Sequence, residues 1–152
     1  MSRVYIDADG CPVIRNAVRI CSEYGIPVTL VCDTSHSFRD IGAEVITVGK
    51  GADSADLKLV NLINAGDIVI TQDYGLAAMC LARSGICISQ DGLVYDSSNI
   101  DSLLLSRHIA KKVRRSGGRL KGPRKRTQQE DKRFETAFEV ILKSLTNNKE
   151  RR

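Results

Sequence analysis

Short apolar runs alternate with longer stretches of helical periodicity over the first hundred residues of this chain. Val4-Tyr5-Ile6, Val28-Thr29-Leu30-Val31-Cys32, Ile68-Val69-Ile70 and Ile86-Cys87-Ile88 are such runs, each bounded by Gly, Pro or polar residues. The pattern predicts buried strands over 3–7, 28–32, 44–48, 67–71 and 86–89. Between them apolar residues recur at helical spacing. Val13, Ala17, Val18, Ile20 and Cys21 follow Pro12, whose missing N–H costs least in a helix's first turn. Ala55, Leu57, Leu59, Val60, Leu62 and Ile63 lead up to Gly66, and a further helix is predicted over 73–83. Such alternation predicts an α/β domain of three layers: a mostly parallel central sheet of about five strands, flanking helices and right-handed crossovers.

The remainder changes character. Residues 33–42 read as a polar loop, and residues 92–95 as a short extra strand. A helix is predicted from Asp96-Ser97-Ser98 to about 115, then a Gly-rich basic loop to about 126. A last helix starts at Thr127, which forms the Thr-x-x-Glu capping pattern with Glu130, and fraying is expected from Leu145 onward. The whole of 1–152 reads as one domain without internal repeats.

Composition narrows the classes. No apolar stretch approaches the roughly 18 residues of a membrane span, and the first residues carry no secretory pattern. The five cysteines are an odd number without CxxC spacing. That argues for reduced thiols in the cytoplasm, and against a disulfide framework or a zinc site. The absence of tryptophan argues against an aromatic platform for single-stranded bases.

Charge is unevenly placed. The formal net charge is +5, yet the ten basic residues between Asp101 and Glu130 face no acid in that interval; without them 13 basic residues remain against 18 acidic ones. A polyanion held by the basic part would be presented to an acidic body. Within that body, carboxylates lie just past the apolar runs. Asp7 and Asp9 come at the end of the first predicted strand, Asp73 after the fourth and Asp91 after the fifth. Asp53 and Asp56, three apart, share one face of the second helix. In an open parallel sheet the strand ends converge on the ligand site. Clustered carboxylates there call for a hard cation, so Mg²⁺ or Mn²⁺ is the expected cofactor, with Asp7, Asp9, Asp53, Asp56, Asp73 and Asp91 as candidate ligands. Four of the six have a plainer reading: Asp53 and Asp73 as helix caps, Asp9 near a helix start, Asp91 in an Asp-Gly turn; capping explains Asp56 less well, because apolar residues surround it.

Arg114, Arg115, Arg119, Lys121, Arg124, Lys125 and Arg126 are interleaved with Gly and Ser, which suits phosphate contacts. Lys50 and His36 are further candidates for holding a nucleic-acid backbone. The plainer reading of the basic stretch is a solvated face. No Gly-Lys-Ser/Thr ending supports a nucleotide P-loop.

The segments YIDADGCPV (5–13), DTSHS (33–37), GADSADLKLVNLINAGDIVITQDYGLAAMCLARSG (51–85) and RRSGGRLKGPRKRTQQEDKRFETAFEVIL (114–142) resemble the YaiI/YqxD family of small bacterial proteins. Gly10 departs from the alanine expected in that family's opening motif. The resemblance implies a PIN-like fold, akin to metal-dependent ribonucleases, with Asp7, Asp56 and Asp73 as catalytic acids. It also leaves a homodimer open. The expected activity is a divalent-metal-dependent phosphodiesterase acting on RNA. Two alternatives stand beside it. One is a non-catalytic RNA-binding protein with a vestigial acidic site. The other is a phosphatase of the haloacid-dehalogenase type, with Asp7 as nucleophile. Against the latter, Lys50 falls only three residues before Asp53, not well before the last acidic motif.

Overall fold

A computed structural model describes residues 2–33, 38, 41–49, 51, 54–117 and 125–150. The elements follow in the order β1 (Val4–Asp7), α1 (Ile14–Tyr24), β2 (Val28–Asp33), β3 (Glu44–Val48), α2 (Ser54–Leu62), β4 (Ile68–Ile70), α3 (Tyr74–Ala82), β5 (Ile86–Ile88), β6 (Val94–Tyr95), α4 (Ile100–Arg115) and α5 (Gln128–Glu150). The strands form one six-stranded sheet in the order β3-β2-β1-β4-β5-β6. All pairings are parallel except β5 with β6, which is antiparallel. The expected α/β architecture is therefore present, with a sixth, two-residue strand completing one edge.

Side-chain alternation divides the core into two layers. Val4, Ile6, Leu30, Ile68, Ile70 and Ile88 pack with α1 and α5 on one face. Tyr5, Val31, Val69 and Cys87 pack with α2, α3 and the start of α4 on the other. Parallel strands covered on both faces read as continuous apolar runs, which is why the central strands are so apolar. Ile6, Leu30, Ile70 and Ile88 are fully buried. Each contributes about 1.5–3 kcal/mol relative to exposure. On α5, Phe134 and Phe138 stack with ring centroids 5.2 Å apart, and both are fully buried with Leu142.

Two boundaries differ from expectation. α4 begins at Ile100, because the Asp96 carboxylate accepts the N–H groups of Ser98 at 2.8 Å and Asn99 at 3.1 Å. That local turn competes with helix. α5 runs to Glu150 instead of fraying from Leu145. Leu145 packs against the core, and the Thr146 hydroxyl donates to the Leu142 carbonyl at 2.9 Å. The predicted cap at Thr127 is present: Glu130 N donates to its Oγ1 at 3.3 Å.

The β1–β4 pairing marks the point where strand order reverses. The chain winds outward from β1 through β2 to β3, then crosses back to β4 on the other side of β1. A crevice outside the carboxyl ends of β1 and β4 follows from that topology.

Candidate functional site

A cavity of about 220 Å³ lies at this reversal, lined by Asp7, Asp9, Gly10, Cys11, Ile70, Thr71, Gln72 and Gln90. Its parts come from three strand ends. Asp7 is the last residue of β1. Thr71 and Gln72 directly follow β4, and Gln90 lies two residues past β5. Gly10 forms the turn after β1 with φ of 74°, a conformation that glycine adopts at little cost.

The buried Thr71 hydroxyl organises the acids. Its Oγ1 donates to Asp7 Oδ2 at 2.8 Å and accepts from the Asp73 backbone N–H at 3.0 Å. Tyr95, also buried, donates its hydroxyl to the Thr71 carbonyl at 3.1 Å, fixing that backbone from behind. Asp9 accepts the Asp33 N–H on Oδ2 at 3.0 Å, tying the first turn to the end of β2. Gln90 N–H donates to Gln72 Oε1 at 3.1 Å across the rim.

Burial pushes the Asp7 carboxyl above its usual range; the Thr71 hydrogen bond opposes this, and the Asp73 and Asp9 charges add to it. Asp7 is thus a carboxylate whose charge is costly where it stands. Cys11 offers no nucleophile at neutral pH, because burial pushes its thiol up to about 11. Cys21, Cys32, Cys80 and Cys87 are buried.

Asp73 and Asp91, also predicted as ligands, are held by other groups. Asp73 caps α3 by accepting from Gly75 N at 2.8 Å and Leu76 N at 3.2 Å, and the same Oδ1 receives Arg107 Nη1 at 3.2 Å. Its plainer reading as a cap is realised, alongside its electrostatic effect on Asp7. Asp91 accepts Arg126 Nη1 at 2.7 Å and does not line the cavity of Asp7 and Asp9. Asp56 lies in the first turn of α2, and both it and Asp7 act electrostatically on the Cys80 thiol. Among the described residues, no group of three His, Cys, Asp or Glu side chains is placed to hold a metal ion.

Arg126 also departs from the phosphate-contact expectation. It turns inward, donating through Nε to Asp131 Oδ1 at 2.6 Å, through Nη1 to Asp91 and through Nη2 to the Gln90 carbonyl at 2.6 Å. It fastens the start of α5 to the β5–β6 turn. Arg114 and Arg115 are exposed in the last turn of α4, where cations also suit the helix's negative end. Lys125 is exposed. His36, Lys50, Asp53, Arg119, Lys121 and Arg124 lie outside the described residues. Thr71, Gln72, Gln90 and Arg107 were missing from the sequence-based candidates. Polar residues placed immediately after the most apolar strand were the available signal for Thr71 and Gln72.

Fold and site together define a three-layer α/β protein with an acidic, amide-rimmed cavity at its switch point. More particularly, the chain belongs to the YaiI/YqxD family: residues 5–144 match the model described as "Uncharacterized BCR, YaiI/YqxD family". It is 51% identical over 145 residues to a UPF0178 protein of Exiguobacterium sibiricum, covering 95% of this chain and 99% of that one. A UPF0178 protein of Clostridium acetobutylicum is 47% identical over 142 residues, covering 92% and 96% of the two chains. One of Ruminiclostridium cellulolyticum is 46% identical over 141 residues, covering 93% and 92%. Among solved structures, that of Rae1 (YacP) from Bacillus subtilis, a W164L mutant, is similar at 16% identity with a TM-score of 0.45, over 97% of this chain and 99% of that one. No helix among the described residues is long and apolar enough to cross a membrane.

Proposed function

We propose that this chain is a divalent-metal-dependent phosphodiesterase acting on RNA at the switch-point cavity. The observation that carries the reading is Asp7: a desolvated carboxylate with Asp9 and Asp73 acting on it, lining a cavity where strand order reverses. A hard cation would relieve that cost. Asp7 and Asp9 fit one chemically, since both are oxygen donors. Mg²⁺ is commonly held by one or two carboxylates, with water and substrate phosphate completing its shell. Two carboxylates without a third therefore suit a site completed by substrate. When bound, such an ion lowers the pKa of a coordinated water and offsets charge on the scissile phosphate.

The chain's own residues have separate tasks. Thr71 holds Asp7 by Oδ2, leaving Oδ1 without a hydrogen-bond donor among the described residues. Asp73 is a positioning residue, acting through Thr71 and through the start of α3. The Gln72 and Gln90 amides line the cavity beside the acids, where a phosphate or ribose hydroxyl would sit. Exposed Arg114, Arg115 and Lys125 hold the RNA backbone irrespective of sequence.

The second reading, an RNA-holding protein without catalysis, is favoured by one specific feature. Asp73 and Asp91 are each already neutralised by an arginine, Arg107 and Arg126. One experiment separates the two. A labelled oligoribonucleotide is incubated with Mn²⁺, with Mg²⁺ or with chelator, using native protein and Asp7→Asn, and Mn²⁺ binding is followed by calorimetry in parallel. Metal-dependent cleavage by native protein only, together with weaker Mn²⁺ binding by the variant, supports the phosphodiesterase. Equal RNA retention with no cleavage by either protein supports the second reading. The same oligonucleotide as DNA tests the preference for RNA.

A further inference from the structure

A second, shallower cavity of about 530 Å³, wide open to solvent, lies between the β5–β6 turn and α5. Its lining combines two chemistries. Lys132 and Arg133 bring positive charge, Gln129 and Thr136 bring hydrogen-bonding groups, and Leu93 and Ala137 bring an apolar wall. Leu93 is 43% exposed, so its side chain is open to a ligand entering from solvent.

The charges are available. Asp91 also lines the cavity, but its carboxylate is already bound by Arg126 at 2.7 Å. Neither Lys132 nor Arg133 forms an ion pair among the described residues. The wall is held firmly. Gly92 has φ of 88°, and a Cβ there would meet the Arg133 carbonyl oxygen at 2.6 Å, so turn and helix backbone are in direct apposition. Arg126 fastens the same turn through Asp91 and the Gln90 carbonyl. Two unpaired cations, hydrogen-bonding side chains and an apolar wall match a ligand with an anionic head and a flat, poorly hydrated body.

The cavity's position adds the second consideration. Gln90 lines the acidic cavity, and the next residue, Asp91, lines this one. Two consecutive residues thus belong to the linings of the two cavities. A nucleic-acid strand with one phosphate at the acidic site would bring a neighbouring nucleotide towards Lys132 and Arg133.

We propose that the cavity between the β5–β6 turn and α5 is a nucleotide-binding site, with Lys132 and Arg133 taking the phosphate and Leu93 and Ala137 contacting the base. The ligand is either a free mononucleotide or one nucleotide of a single-stranded RNA. The site stands independently of the phosphodiesterase reading. If that reading holds, it becomes the subsite beside the scissile phosphate.

The test uses the full chain with two probes, adenosine monophosphate and a fluorescein-labelled single-stranded oligoribonucleotide, in chelator so that binding is read without cleavage. Lys132→Ala/Arg133→Ala is compared with native protein, with circular dichroism as the folding control; Leu93→Ala is a second variant that leaves the charges intact. The double variant is expected to bind roughly tenfold or more weakly, as for removal of one charge-assisted hydrogen bond. If RNA is the ligand, its salt slope should flatten by about one for each phosphate no longer held. Leu93→Ala should weaken binding by a smaller factor with the slope unchanged. Saturation by adenosine monophosphate, abolished in the double variant, identifies a free nucleotide; an effect confined to the oligonucleotide identifies an RNA subsite. Unchanged affinity for both probes in the folded double variant, or failure of native protein to bind either, overturns the site. Cleavage assays on the same proteins keep the two readings apart: weakened binding in the double variant with no cleavage by native protein removes the phosphodiesterase and keeps the site, and the reverse pattern does the opposite.

Discussion

The two cavities flanking Gln90–Asp91 use charge in opposite ways. In the acidic one, Asp7 is desolvated and held from behind by the buried Thr71 hydroxyl. In the basic one, Lys132 and Arg133 stand exposed, with no carboxylate taking up their charge among the described residues. A buried charge is costly and demands an organised environment, while an exposed one costs little and attracts at long range. The first arrangement suits chemistry at one atom, the second suits holding a polyanion. Arg126 joins them, since it grips the turn whose two residues face the two cavities.

The sharpest way to break the contrast is to remove that grip. Arg126 is mostly buried and donates to three acceptors. Arg126→Ala leaves Asp131 and Asp91 without it. A destabilisation of about 2–3 kcal/mol in urea denaturation is expected, with weaker binding at both cavities. An unchanged midpoint would show that the turn and α5 stay together without it.

A smaller effect of opposite sign is expected at Asp7. Because burial and neighbouring carboxylates raise its titration, the neutral form is favoured in the folded state. Asp7→Asn should therefore stabilise the protein by about 1 kcal/mol near neutral pH, at the expense of metal binding. The sign follows from linkage. Unfolded chains lose this proton at lower pH than folded ones, so the stability associated with it is present in acid and lost as pH rises through the raised folded range. The gap between variant and native protein should open with rising pH and close in acid. Thermal melts across that range check it, and a gap that widens in acid would contradict the assignment.

The smallest stability effect belongs to the exposed end of α4. Arg114→Ala/Arg115→Ala should stay within about 0.5 kcal/mol of native stability. The RNA salt slope should nevertheless fall by about two, one for each phosphate released. Lower stability with no change in slope would return these residues to their plainer role at a helix end.

Much of the fold was legible because strand and helix periodicities are local. The 44–48 strand and the capping pair Thr127 and Glu130 needed only neighbouring residues for their assignment. The site was legible in part. Carboxylates past apolar runs pointed to Asp7 and Asp9, but the partners of the other acids were hidden. Arg107 reaches Asp73 across 34 positions, and Arg126 reaches Asp91 across 35. No spacing rule connects such pairs, so Arg126 looked like one more cation in a basic run. The same distance effect hid the end of α5, whose persistence depends on Leu145 meeting a core built largely from the first ninety residues.

The sheet's two borders have unequal consequences for self-association. On one side the two-residue β6 offers almost no ladder to an incoming chain. On the other, β3 has five residues, and among the described residues nothing hydrogen-bonds along its outer flank. Among the described residues that flank is a template for strand addition, and Glu44 does not guard it, because its carboxylate reaches back over the sheet to Thr29 at 3.1 Å and Arg3 at 3.5 Å. Of the two borders as described, that one offers the longer ladder to an incoming strand.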